Sequence, residues 1–247
     1  MSKLLVETNE GVRTLIFNRP ETKNAFDAEL WGLFRDALNS ASDDPDISSV
    51  VVTGSSNTFS SGVDLSSMMG DGGAEYEEPF ETCIDALINF KKPLIAAVEG
   101  AAVGGGATIL LHFDAVFIDP KAKIKYPFSD LGLAPEVGSS FLLFQSLGYQ
   151  QAAQLLFESQ PIDGNRYHKL GLAKYVGEDC LAEANKYAHM LKEQSLSSII
   201  ETKAILKSFM QEDLAKSRSM ETAAMKKLFG SEDNIKAVEK FFARNKK

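Results

Sequence analysis

One carboxylate is set apart by its surroundings. In "LGLAPEVGSSFLL", Leu131 to Leu143, every neighbour of Glu136 is apolar or small. The nearest Lys, Arg or His along the chain are Lys125 and Arg166. Burial among Leu133, Ala134, Pro135 and Val137 disfavours the ionised form, whereas a helix beginning near Gly138 would favour it. The expected balance is a carboxylate ionised at neutral pH but more basic than a free Glu, suited to taking a proton from a weak carbon acid. The competing reading is an N-terminal-turn carboxylate that only stabilises its helix, and the residues alone leave both open.

Two glycine-bearing segments could supply the complementary electrophilic groups. "NTFSSGVDL" follows an expected strand, and Gly62 permits a turn that leaves Val63 presenting its N–H. In "GAAVGGGATILL" a helix opens at Gly104, Gly105 and Gly106, exposing first-turn N–H groups and the positive end of the helix dipole. Two such donors aimed at one point would stabilise a negative oxygen, each worth on the order of 3 kcal/mol in a transition state. A simple turn, close packing or a phosphate cradle would account for either segment singly. No Lys-Ser/Thr follows the triplet, and it lacks G-x-G-x-x-G spacing, so neither nucleotide motif is present.

The elements that must position these groups are legible as alternating patterns. "KLLVET" and "VRTLIFN" flank Asn9-Glu10-Gly11 as a hairpin, and Asp27 is placed to cap a helix with apolar residues at Leu30, Leu33/Phe34, Ala37/Leu38 and Ala41. "ISSVVVTG", "PLIAAVEG", "DAVFID" and "AKIKY" read as strands, and "PFETCIDALINF" and "GGGATILLHF" as helices. The first half therefore repeats strand, strand, helix, which suits stacked ββα units better than a doubly wound sheet. "DLSSMMGDGGAEYEEP", Asp64 to Pro79, has no period and reads as a loop or lid. From about Gly138 the strand signal nearly vanishes. Helical periodicity runs through "SSFLLFQSLG", "YQQAAQLLFE", "LAEANKYAHMLKEQ" and Leu196–Phe229, and Ser231 caps a last helix with Ile235, Val238 and Phe241/Phe242 on one face. The expected division is a mixed α/β core over 1–190 and a helical region over 191–247.

Composition bounds the function. With 247 residues, 44% apolar and 24% charged, the chain can bury a sizeable core. A net charge of −8 argues against a nucleic-acid binder. Cys83 and Cys180 are far apart, and His112, His168 and His189 are isolated, so no metal-ligand spacing is present. The N-terminus lacks an apolar signal region and no apolar run spans a membrane, so a cytoplasmic protein without membrane partners is expected.

"NRPETKNAF", "FSSGVDL", "KKPLIAAVEGAAVGGGATILLHFD" and "PFSDLGLAPEVGSS", in this order, resemble the crotonase (enoyl-CoA hydratase/isomerase) family over about Asn18 to Ser140. The resemblance implies an α/β fold, a crotonase-like ββα superhelix with a C-terminal helical trimerisation region. It implies an acyl-CoA thioester substrate, with CoA part of that substrate and no separate cofactor, and a homotrimer or dimer of trimers. The N–H groups of Val63 and Gly105 would hold the thioester oxygen, while Lys23, Ala25, Asp64 and Leu65 would lie along the CoA channel. Asp64 also reads as a loop-capping carboxylate and Lys23 as a solvated side chain.

Departures from the family pattern narrow the reaction. Where the family's hydratases carry two water-activating glutamates, this chain has Thr108 and Phe128. Each missing acid or base forfeits roughly 10²–10⁴-fold. The context of Glu136 resembles the peroxisomal-type Δ3,Δ2-enoyl-CoA isomerases, in which a single Glu carries the chemistry. The expected activity is thus a shift of a 3-enoyl-CoA double bond to the 2-trans position through a dienolate. Another crotonase-type reaction (hydrolysis, atypical hydration or lyase chemistry) and a non-catalytic acyl-CoA binder are the alternatives. Met68, Met69, Phe80 and Phe141 are candidates for the acyl pocket.

Overall fold

The computed structural model describes residues 2–64 and 72–245. Strands β1 (Leu4–Asn9) and β2 (Val12–Phe17) pair antiparallel. Glu10 and Gly11 between them both have positive φ, the two-residue loop geometry that matches strand twist. Helix α1 (Ala28–Asp43) starts where Asp27 accepts a hydrogen bond from the Leu30 N–H, and it buries Leu30, Trp31, Phe34, Leu38 and Ala41. Strand β3 (Ser49–Gly54) is buried almost throughout.

Helix α2 (Gly72–Asn89) begins seven residues before Pro79, and Pro79 lies inside it. The expected loop is therefore helical from Gly72, and residues 65–71 lie outside the described set. Tertiary contact overrides poor local propensity here: Tyr76 is buried, stacks on Phe80 with ring centroids 5.9 Å apart, and accepts a 2.5 Å hydrogen bond from Trp31 Nε1.

Strands β4 (Leu94–Val98) and β5 (Ala101–Val103) lead into a single-turn helix α3 (Gly105–Thr108), continued by a 3-10 turn over Ile109–His112. Strands β6 (Ala115–Ile118) and β7 (Lys123–Lys125) follow, then a 3-10 turn at Ser129–Leu131. Helices α4 (Ser139–Leu147) and α5 (Tyr149–Glu158) form the next pair. The remainder comprises β8 (Ile162–Asp163), α6 (Gly164–Lys169), β9 (Tyr175–Val176) and four helices: α7 (Cys180–Lys192), α8 (Leu196–Ser208), α9 (Gln211–Leu228) and α10 (Glu232–Asn245).

A six-stranded sheet runs β1-β2-β3-β4-β6-β9, parallel from β2 onward. A second sheet of three strands runs β5-β7-β8. Successive strand pairs are thus shared between two layers, the arrangement a ββα repeat requires. One core, with Phe17, Phe26, Trp31, Phe34 and Phe59 among its largest members, fills the space under α1 and α2. A smaller one lies between the opposite sheet face and α7.

Two expectations need correction. Strands continue past Gly138, because β8 and β9 extend the two sheets by two residues each, too short to leave a periodic signal. In α10 Val238 and Phe241 of the expected face are half-buried, but Ile235 is 51% exposed and Asn234, 5% exposed, is buried in its place. Ser231 does cap this helix, its Oγ accepting from the Asn234 N–H at 3.2 Å. Among the described residues no helix is long and apolar enough to cross a membrane.

Candidate active site

The two glycine segments meet because their backbones are paired. Phe26 bridges Val63 and Ser60 bridges Ala102, both parallel, so the turn at Gly62 is laid beside the start of α3. Gly62 has φ +89°, and a Cβ there would lie 2.4 Å from the Val103 carbonyl oxygen and 3.2 Å from the Gly105 nitrogen. Only glycine permits that approach. The Phe26 N–H donates to the Gly62 carbonyl and the Asp64 N–H to the Phe26 carbonyl, which leaves the Val63 N–H outside this ladder. Gly105, the first residue of α3, has no preceding turn to accept its N–H. Among the described residues neither N–H has an acceptor.

Glu136 reaches the same place from the other side. A methyl group placed on Gly105 would lie 3.5 Å from Glu136 Oε1, 3.6 Å from Val63 Cγ2 and 3.7 Å from the Trp31 ring. Val63, Gly105 and Glu136 line a cavity of about 570 Å³, walled mainly by apolar residues such as Phe80, Ile84, Phe128, Leu133, Met225 and Phe229. Among the described residues the Glu136 carboxyl has no hydrogen-bond or ion-pair partner. Its backbone carbonyl accepts from the Ser139 N–H, but its side chain does not cap α4, so the helix-stabilising reading is set aside.

Burial raises the Glu136 pKa from 4.5 to about 7, helped by the negative charges of Glu221 and then Glu81. The acid is therefore more basic than the sequence led one to expect, and it is roughly half protonated at neutral pH. The left-handed backbone at Val137, φ +64°, and Gly138, φ +73°, turns Glu136 away from the axis of α4. His112 Nε2 donates to the Val137 carbonyl at 2.8 Å and holds this turn. The ring is neutral, its pKa lowered to about 4 by burial.

Of the residues expected along a CoA channel, Lys23, Ala25 and Asp64 do not form the walls of this cavity. Ala25 is buried, and its carbonyl accepts a 2.5 Å hydrogen bond from Arg19 Nη1. Lys23 is exposed at the end of a 3-10 turn, with left-handed φ of 55°. The Asp64 carboxylate pairs with Arg19 at 3.1 Å, which also engages Asp27 at 3.2 Å. Asp64 thus has a structural partner that local sequence does not reveal. Leu65, Met68 and Met69 lie outside the described residues. Phe80 lines the cavity, whereas Phe141 does not.

At the two positions that correspond to hydratase carboxylates, Thr108 is fully buried and Phe128 forms part of the cavity wall. Glu77, Glu81 and Glu221 also face the cavity. Glu81 pairs with Arg218 at 2.7 Å, and Glu221 accepts three hydrogen bonds from the start of α4. Sequence reasoning missed both, since each reaches the site from a helix distant in the chain. Among the described residues no group of acidic, His or Cys side chains could hold a metal ion.

The two-sheet ββα architecture with its helical C-terminal region is the crotonase class of fold. A solved structure of Pseudomonas aeruginosa OdaA superposes with a TM-score of 0.92 at 33% identity, covering 98% of this chain and 99% of the other. The model of the enoyl-CoA hydratase/isomerase family matches residues 7–247, and the chain belongs to that family. Relatives carry both kinds of name. Enoyl-CoA delta isomerase 3, peroxisomal, from Mus musculus is 30% identical over 99% of this chain and 79% of its own length. Crotonyl-CoA hydratase from Syntrophomonas wolfei is 28% identical, over 98% of this chain and 96% of its own.

Proposed function

We propose that this chain is a Δ3,Δ2-enoyl-CoA isomerase in which Glu136 is the single acid/base. The observation that carries the reading is a Glu136 carboxyl without a partner among the described residues, beside the N–H groups of Val63 and Gly105, likewise without acceptors there, in an apolar cavity. A 3-enoyl thioester bound with its oxygen on those donors would have its C2 hydrogens toward Glu136. The carboxylate takes one C2 proton, and the C–H electron pair moves into the C1–C2 bond, leaving the charge on the thioester oxygen. The dienolate then takes the proton back at C4, and the double bond comes to rest between C2 and C3. The amides hold the oxygen while its charge develops, and a carboxyl titrating near neutrality can both accept and return the proton.

Support for isomerisation over hydration comes from the cavity's other carboxylates. Glu81 and Glu221 are committed to Arg218 and to the start of α4, and Phe128 fills wall where a second water-activating acid would stand. Lys23, Ala25, Asp64 and Leu65 belong to this proposal as the path of the CoA moiety outside the cavity. The decisive experiment incubates the protein with 3-hexenoyl-CoA and, separately, with 2-hexenoyl-CoA. Isomerisation gives conjugated thioester from the first and no loss of conjugation from the second, and Glu136→Gln abolishes it. Consumption of the 2-enoyl substrate identifies a hydratase, free thiol a hydrolase, and no change with either a binder.

A further inference from the structure

The start of α4 is closed by a residue from the far end of the chain. Gly138 precedes the helix and has no side chain to cap it. Instead Glu221 on α9 accepts from the Gly138 N–H at 2.7 Å, the Ser140 N–H at 2.9 Å and the Ser140 hydroxyl at 2.5 Å. The Ser139 N–H donates to the Glu136 carbonyl. With the Phe141 and Leu142 N–H groups on the Gly138 carbonyl, the first turn has no donor left for the Glu136 side chain. Leu214, two turns earlier on α9, packs where a Gly138 Cβ would stand, 2.3 Å from it, so the same helix braces the same turn. Glu221 is 6% exposed and also faces the cavity.

We propose that Glu221 is a positioning residue for Glu136, closing the helix N-terminus from α9 and holding a fixed negative charge behind the reacting carboxyl. The helix end that would have stabilised a Glu136 anion is used up, and a like charge replaces it. As a statement about catalysis this rests on the isomerase reading; as electrostatics it does not.

Of the other ionisable groups around Glu136, Glu81 acts in the same direction but less, and the rest are paired, neutral or on the cavity wall. On α9, Arg218 is paired with Glu81 and Asp85 of α2, and Lys226 lines the cavity wall. From α2, Glu77 faces the cavity, Glu81 adds the next negative charge after Glu221, and Tyr76 keeps its proton well above neutrality. Lys125 of β7 is paired with Asp130 at 2.6 Å, and His112 is neutral.

The test is a titration of the substrate-free protein labelled with ¹³C at glutamate carboxyls, with Glu136 assigned by its absence from Glu136→Gln. The expected wild-type midpoint is about 7. In Glu221→Gln it falls by about one pH unit or more, since a neighbouring charge of like sign is worth that much. In Glu221→Asp, which keeps the charge, it stays near the wild-type value. A midpoint unmoved by Gln, or lowered equally by Gln and Asp, overturns the proposal. Should the Gln variant not fold, Glu221→Met is titrated in its place: a midpoint below the wild-type value upholds the arrangement, and an unmoved one refutes it. Rates with 3-hexenoyl-CoA across pH are read in parallel. A carboxyl midpoint that moves while the rate profile does not leaves Glu221's role intact and overturns Glu136 as the base.

Discussion

Replacing Glu136 by Gln should stabilise the fold while it removes the activity. Ionised Glu136 is held at a cost, because its pKa in the folded chain is raised from 4.5 to about 7. Each tenfold displacement is about 1.4 kcal/mol, so the full cost is about 3 kcal/mol once the group is ionised in both states. The sign follows from proton counting. Between 4.5 and about 7 the folded state binds more protons than the unfolded one, so this group's contribution to stability falls as pH rises. Gln carries no charge and escapes the penalty. The advantage of the variant should be about 1 kcal/mol near pH 5 and about 3 kcal/mol near pH 8.5. For a chain of this length that larger figure is about 6–12 °C in Tm. Urea and thermal unfolding at matched protein concentration, followed by far-ultraviolet circular dichroism and by the fluorescence of Trp31, the sole tryptophan, would measure it. An advantage that stays flat from about pH 5 to about pH 8.5, or a Gln variant less stable at the higher pH, would refute the reasoning.

Further tests separate chemistry from packing. Gly105→Ala places its methyl at ordinary contact distances from Glu136, Val63 and Trp31, so it should fold normally yet lose most isomerisation, which circular dichroism and the 3-hexenoyl-CoA assay read together. Gly62→Ala, at φ +89° and 2.4 Å from the Val103 carbonyl oxygen, should instead lower Tm sharply. Tyr76→Phe leaves the buried Trp31 Nε1–H without its acceptor, a loss of about 1–3 kcal/mol that urea unfolding would report as a lower midpoint. Arg19→Met removes the cation that Asp27 and Asp64 share while leaving Asp27 its 2.6 Å pair with Lys3, and should cost about 1.5–3 kcal/mol in the same experiment. The kcat/KM profile should rise with pH to a plateau above about 7, where Glu136 is ionised. A profile flat across neutrality counts against it.

What could be read from the sequence was local. Asp27 stands three residues before Leu30, the spacing of an N-cap, and it caps. β3 and β4 are β-branched or alanine-rich runs bounded by Gly and Pro, and they are strands. The glycine segments and Glu136 were legible as separate candidates, and the structure brings them within contact of one another. What escaped depended on partners far along the chain. Helix α2 extends back to Gly72 because Tyr76 finds Trp31, a contact no window around Pro79 contains. The inward face of α10 is set by Asn234 Nδ2 donating to the Leu131 carbonyl at 2.7 Å, so a polar residue is buried where periodicity points to Ile235. The basicity of Glu136 was underestimated for the same reason: local sequence contains the helix that favours its anion but not the Glu221 that occupies that helix.

The strained turn after Glu136 links these observations. Left-handed φ at a β-branched residue is unfavourable, by roughly 1–2 kcal/mol, and Val137 persists there only because its surroundings fix it. His112 Nε2 holds its carbonyl, Glu221 holds the next N–H, and Leu214 fills the space over Gly138. Had the chain continued helically through residue 137, Glu136 would have entered the first turn of α4, where free N–H groups and the dipole would keep it ionised and directed along the helix. The reversal does the opposite: it turns the carboxyl into an apolar cavity and leaves the helix end to Glu221. The helices α9 and α10 therefore do more than cover the core. They supply Met225 and Phe241 to the cavity wall, Phe229 joins them as the residue that ends α9, and α9 carries the carboxylate that caps α4. A carboxyl that titrates near neutrality is a property of this whole arrangement: burial is its first cause, and Glu221, more than eighty residues away in sequence, adds to it.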